Sequence, residues 1–174
     1  MPSLSSLLRS LADTVGREAS RAVRSGRARP ARRPSSPAAS GYPGDFTGRP
    51  LLDYAPREDR TADPGEVVWT WVPYEEDHSR GKDRPVLVIG RDGEWLLALP
   101  MTSQDHDRDA RQEAAEGRFW ADIGTGAWDR DGRPSEVRVN RIIRVPPEGI
   151  RRIAARLPRE RYDEVARAVL RHYR

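Results

Sequence analysis

The stretch from Gly65 to Ser103, GEVVWTWVPYEEDHSRGKDRPVLVIGRDGEWLLALPMTS, leaves the chain little choice of fold. Its three apolar runs, Glu66–Val72, Pro85–Ile89 and Trp95–Leu99, are too short for ordinary helices and rich in β-branched and aromatic residues. A charged segment, Tyr74 to Asp83, separates the first run from the second. Arg91-Asp92-Gly93-Glu94 separates the second from the third, and an Asp-Gly pair between two apolar runs is a strong hairpin signal. The reading is a three-stranded antiparallel unit. It sets Arg84 at the head of the second strand and Thr102 just past the end of the third. A cation and a hydroxyl then meet at one edge of a small curled sheet, a pair suited to a phosphodiester.

Further on, Phe119–Ile123 reads as a fourth strand and Gly124–Gly132 as turn material around Trp128. Glu136 to Arg144 reads as a fifth strand, with Val137, Val139 and Ile142 facing inward and Pro146-Pro147 ending it. Residues 158–173 have helical periodicity, with Tyr162, Val165, Ala166, Val169 and Leu170 on one face. Pro158 suits the first turn of that helix, and Glu160 suits the positive end of its dipole. Five short strands followed by a helix make a mostly β, α+β domain over residues 64–174: a small curled antiparallel barrel with a C-terminal helix packed on it.

The front of the chain differs in kind. Residues 3–24 repeat Leu4, Leu7, Leu8, Leu11, Val15 and Ala19 at helical spacing, with Arg9, Arg17, Arg21 and Arg24 on the other side. Residues 1–24 therefore read as an amphipathic helix, either docked on a partner or anionic surface or packed loosely on its own domain. Residues 25–63 are dense in Arg, Pro, Ser and Gly and have few aliphatics, which reads as a disordered linker. On that reading a chain starting near Thr61 folds by itself. Of the 31 basic residues all but Lys82 are arginine, a skew typical of a GC-rich genome, so the basic balance is weak evidence for nucleic acid. The charge is uneven: residues 138–174 carry 11 arginines against 4 acids. The absence of cysteine excludes disulfides, thiolate zinc sites and thiol catalysis. No apolar run approaches the ~20 residues that span a bilayer, so the reading is a cytoplasmic protein without membrane insertion.

In order and spacing, Gly65-Glu66-Val67-Val68-Trp69, Arg84-Pro85-Val86-Leu87-Val88-Ile89 and Pro100-Met101-Thr102-Ser103 resemble the PemK/MazF family of toxin endoribonucleases. Pro134 to Arg144 is similar to that family's penultimate strand. The resemblance covers roughly residues 64–171. It implies the Src-homology-3-like barrel shared by PemK, MazF and CcdB toxins, and a sequence-specific, metal-independent cleavage of single-stranded RNA needing no cofactor. It further implies a homodimer with the RNA groove across its interface and a cognate antitoxin lying over that groove. Arg84 and Thr102 fall on the family's catalytic positions, with Ser103 and Gln104 continuing the match. Two other readings stay open. One is a non-catalytic nucleic-acid- or protein-binding module on the same fold. The other is a CcdB-like toxin directed at DNA gyrase.

Other residue types allow further expectations. A guanidinium clamps phosphate in a bidentate fashion, but its pKa above ~12 makes it a poor base. Arg138, Asn140 and Arg141 are candidates for substrate contacts. Trp128 is the candidate platform for stacking a base, and Trp69 and Trp71, two apart on one strand face, serve either stacking or core packing. His78 and His106 would form an acid–base pair only if brought together; otherwise they are surface-loop histidines. Asp105, His106, Asp107 and Asp109 alternate faces in an extended segment and do not converge easily on a metal. The acidic Glu75-Glu76-Asp77 loop stands near the expected phosphate site, where it would repel RNA.

Overall fold

The computed structural model describes residues 41–103 and 110–173. Four strands and a helix fall close to where the periodicity places them: β1 (Glu66–Pro73), β2 (Gly81–Asp92), β3 (Trp95–Thr102), β4 (Trp120–Gly124) and the C-terminal helix α2 (Arg159–Leu170). A short helix, α1 (Ala110–Ala115), precedes β4. The β2–β3 hairpin closes on Gly93-Glu94, because Asp92 already pairs with Trp95. Gly93 takes the loop's only left-handed φ, +60°, the requirement of a type II′ turn at its first central position.

The expected fifth strand divides in two. β5 (Ser135–Arg138) lies between β3 and β4, while β6 (Ile143–Val145) pairs with the earlier part of β3, Leu96–Ala98. The chain turns at residues 139–142 so that both pieces stay antiparallel to one long strand. A further strand, β7 (Arg152–Arg156), pairs with β1; its sequence RIAAR carries too little apolar alternation to announce itself. All pairings are antiparallel, in the order β4-β5-β3-β2-β1-β7 with β6 beside β3. β4 and β7 are edges, so the sheet curls without closing.

The sheet is covered on both sides, which explains why its central strands are apolar at every position. Val67, Leu87, Leu97, Leu99 and Met101 meet Tyr162, Val165 and Val169 of α2 on one side. Val68, Val86, Val88, Leu96 and Ala98 pack with Ile143, Val145, Ile150 and Ile153 on the other. Leu170, expected on the buried face of α2, is 39% exposed.

The domain boundary near Asp63 needs correction. Residues 41–63, read as part of a linker, run as an extended strap across the body of the domain. Phe46 bridges to Ile142 and Leu52 to Gly90, and Phe46, Leu52 and Tyr54 pack against the main core. The Tyr54 hydroxyl donates to the Leu157 carbonyl at 2.9 Å, and the Asp53 amide to the Ile89 carbonyl at 3.0 Å. Arg144 donates to the carbonyls of Gly44 and Asp45, with its guanidinium 5.2 Å from the Phe46 ring centre. Gly90 is the mark of this strap on the barrel sequence: a Cβ there would stand 2.3 Å from the Leu51 carbonyl oxygen, a backbone atom that cannot swing aside. Gly90→Ala should therefore lift the strap and lower unfolding free energy by about 1–3 kcal/mol in urea denaturation. A midpoint equal to wild type would show that the strap is not seated there. The expected helix at 1–24 and residues 25–40 of the expected linker lie outside the described residues.

Candidate active site

One face of the sheet carries a polar row. Thr70 of β1 is the register partner of Arg84 in β2. The β2–β3 ladder runs to Val86↔Pro100, and the same register continued by two residues sets Arg84 across from Thr102. On the other side of β3, Thr102 pairs with Glu136, and Glu136 in turn pairs with Asp122 of β4. Directly opposed residues in antiparallel strands share a face, with Cβ atoms about 5 Å apart. Thr70 and Arg84 thus stand side by side, as do Thr102, Glu136 and Asp122, and the continued β2–β3 register joins the two groups. Thr70 is committed to the scaffold, donating to the Gly149 carbonyl at 3.0 Å.

Arg84 stands apart from the other arginines. It is half-buried, and no carboxylate or hydrogen-bond acceptor answers it among the described residues. Its neighbour Asp83 is on the opposite face and engaged by Arg151 at 2.9 Å. The other described arginines that lack such a partner are exposed to water. Burial holds the Arg84 guanidinium below the ordinary arginine range; Tyr74 acts against that shift and the nearby Arg141 adds to it. A guanidinium withdrawn from water without an anion is costly, and an incoming anion recovers that cost.

Thr102 and Ser103 are half-buried beside this row; Gln104, His106 and the Asp105–Asp109 acids lie outside the described residues. The remaining candidates are already engaged inside the molecule. Arg138 is 9% exposed and forms a bidentate pair with Glu75, at 2.6 and 3.1 Å. Arg141, 8% exposed, donates to Asp45 at 2.8 Å and to the Pro73 carbonyl at 2.9 Å. Asn140 accepts from the Phe119 amide at 3.1 Å and donates to the Gly117 carbonyl at 2.6 Å, tying the α1–β4 connection to the turn after β5. These three side chains are thus occupied within the fold. Trp128 is 3% exposed, packed in the core with its indole N–H donated to Ser135 Oγ at 3.0 Å, so the expected stacking platform is a core residue.

One acid of the loop is ion-paired and a second is hydrogen-bonded. Glu75 is spent on Arg138, and Asp77 accepts from the Ser79 amide and hydroxyl at 3.0 and 2.6 Å. His78 packs edge-on against Tyr42 of the strap, with ring centres 5.0 Å apart. Trp69 and Trp71, odd-numbered in β1, lie on the opposite face from Arg84. Both are half-buried, and Arg152 covers the Trp69 ring at 5.1 Å. Among the described residues no three His, Asp or Glu side chains form a metal-binding group.

Sequence reasoning missed two carboxylates, Glu136 and Asp122. Period two in residues 135–139 sets Glu136 on the face opposite Val137, but only the pairing of β5 with β3 puts it beside Thr102.

The described residues thus form an antiparallel sheet backed by a C-terminal helix, with Arg84 as the fourth residue of β2 and Thr102 at the end of β3. Residues 63–173 match the PemK-like, MazF-like toxins of type II toxin–antitoxin systems, and the chain belongs to that family. Among solved structures, the chain is similar to the Mycobacterium tuberculosis toxin MazF-mt6 at 16% identity. That match covers 62% of this chain and 94% of that one, with a TM-score of 0.41. It is also similar to a chain of the MazE–MazF structure (form II) from Deinococcus radiodurans at 20% identity, covering 64% and 94%, with a TM-score of 0.44. No curated protein matches the chain. Among the described residues, no helix is long and apolar enough to cross a membrane.

Proposed function

We propose that this toxin is a metal-independent endoribonuclease that cleaves single-stranded RNA at a preferred sequence. The carrying observation is Arg84, a half-buried guanidinium without an anion among the described residues, on the strand beside the one that ends at Thr102. The scissile phosphate supplies the missing anion. Arg84 holds its non-bridging oxygens and strengthens that hold as charge develops on the phosphorane, while Thr102 donates to one of the same oxygens. The ribose 2′-hydroxyl is the nucleophile, so no metal-activated water is required. The protein acts in the cytoplasm as a homodimer, and a cognate antitoxin silences it by covering this face.

The test is cleavage of a long single-stranded transcript by purified protein in excess chelator, with both product ends analysed. The expected ends are a 2′,3′-cyclic phosphate and a 5′-hydroxyl. Activity lost with EDTA, or a 5′-phosphate on the product, overturns the reading. Mapping RNA 5′ ends after induced expression yields the motif. Thr102→Val keeps the side-chain shape and removes the donor, and should slow cleavage by roughly 10²-fold. A loss under threefold would leave Thr102 as an ordinary strand-end residue.

One observation favours a non-catalytic binding module instead: Arg138 and Arg141, the arginines expected to contact the substrate, are already neutralised by Glu75 and Asp45. On that reading the protein leaves RNA intact in the same assay.

A further inference from the structure

The reaction proposed above requires a group that takes the 2′-hydroxyl proton, and neither Arg84 nor Thr102 is suited to it. A guanidinium stays protonated across the physiological range, and a threonine hydroxyl is a donor at neutral pH. The described histidines are placed elsewhere: His78 lies against Tyr42, and His172 lies against Phe119 with ring centres 4.6 Å apart. The polar row offers a carboxylate. Glu136 is the direct register partner of Thr102, on the side away from Arg84, and is 8% exposed.

We propose that Glu136 is the general base of this site, an assignment that rests on the ribonuclease reading above. Neighbouring strands are about 4.8 Å apart, so Arg84 and Glu136 flank Thr102 at roughly one strand spacing on either side. A phosphate seated over Thr102 has the guanidinium on one flank and the carboxylate on the other. The ribose on the Glu136 side presents its 2′-hydroxyl to the carboxylate. Glu136 takes that proton, the 2′-oxygen bonds to phosphorus, and the bond from phosphorus to the 5′-oxygen breaks. The departing 5′-oxygen takes a proton from a water molecule. The proton held on Glu136 then returns to the hydroxide so formed, and no water is consumed. The products are the cyclic phosphate and the free 5′-hydroxyl.

The charged groups around Glu136 come from every neighbouring strand. Asp122 faces it from β4, Arg84 stands beyond Thr102 in β2, and Arg138 follows two residues along β5 with its charge answered by Glu75 from the loop after β1.

The experiment uses the full chain and an RNA oligonucleotide carrying the mapped motif, with its 2′-deoxy analogue as a binding probe that cannot react. Glu136→Gln should lower kcat by ~10²-fold or more, change KM little, bind the 2′-deoxy probe as wild type does, and lose the rise of kcat with pH on the acid side. Glu136→Asp, which keeps a carboxylate, should retain that rise at an intermediate rate. If Glu136→Gln fails to fold, Glu136→Asp carries the test, and a wild-type rate with a wild-type pH profile then overturns the assignment. So does a Glu136→Gln protein that cleaves within threefold of wild type, or Gln and Asp variants that lose activity equally together with probe binding. Wild-type protein that leaves RNA intact overturns the ribonuclease reading and this assignment together, whereas cleavage by wild type and Glu136→Gln alike overturns the assignment alone.

Discussion

Arg84→Ala should reduce RNA cleavage by about 10³-fold or more, while the protein melts at the wild-type temperature or above it. The two halves of this result have one cause. In the reaction, the guanidinium is the cation best placed to meet charge growing on the phosphorane, and loss of such a group typically costs several kcal/mol of transition-state stabilisation. In the folded protein without substrate, the same charge is half-buried and unanswered, so its removal relieves a penalty. Arg138 provides the contrast. Its truncation strands Glu75, so Arg138→Ala should lower stability as well as activity. Circular dichroism melts beside single-turnover cleavage separate the cases. An Arg84→Ala protein that melts many degrees lower would place Arg84 in the scaffold, and one that cleaves at the wild-type rate would remove it from the chemistry.

Deletion of residues 1–60 should leave the remainder unable to hold its fold. Three side chains of the strap, Phe46, Leu52 and Tyr54, are partly buried against the main core. Withdrawing them exposes the apolar surface beneath as well, a loss of about 5 kcal/mol or more by area. The deletion also leaves Arg141, 8% exposed, without Asp45. Against a typical domain stability of about 5–15 kcal/mol, that is most of the margin. Deletion of residues 1–40 alone keeps every strap contact described above and should leave the urea midpoint of the domain unchanged. A chain starting at Thr61 that shows the wild-type midpoint would return the strap to the status of a linker. The family match begins at residue 63, so the strap lies ahead of the matched region.

Four strands, the hairpin and the C-terminal helix were legible because each is a local pattern. Runs of Val, Leu, Ile and Trp at strand length, a glycine where the turn needs a positive φ, and apolar residues at helical spacing determine conformation within a few neighbours. Thr102 was legible for a related reason, since it closes its strand, whereas Arg84, expected at the head of its strand, is the fourth residue of β2 because pairing with β1 extends back to Gly81. The division of residues 136–144 into β5 and β6 was not legible, since Val137, Val139 and Ile142 suit one strand as well as two. Nor was the strap, whose Phe46, Leu52 and Tyr54 are too sparse to form a periodic signal and gain meaning only against a core assembled from elsewhere.

By itself the sequence determined the first four strands, the hairpin between the second and third, the C-terminal helix, and that Arg84 and Thr102 lie on neighbouring strands. The tertiary structure decided which charges are free. Arg84, Arg138 and Arg141 are the same residue type in similar local settings, yet Glu75 and Asp45 reach two of them from distant parts of the chain and no described carboxylate reaches the third. It also decided that Glu136 lies beside Thr102, because register between strands far apart in sequence is set by the packing of both sheet faces and not by any local preference.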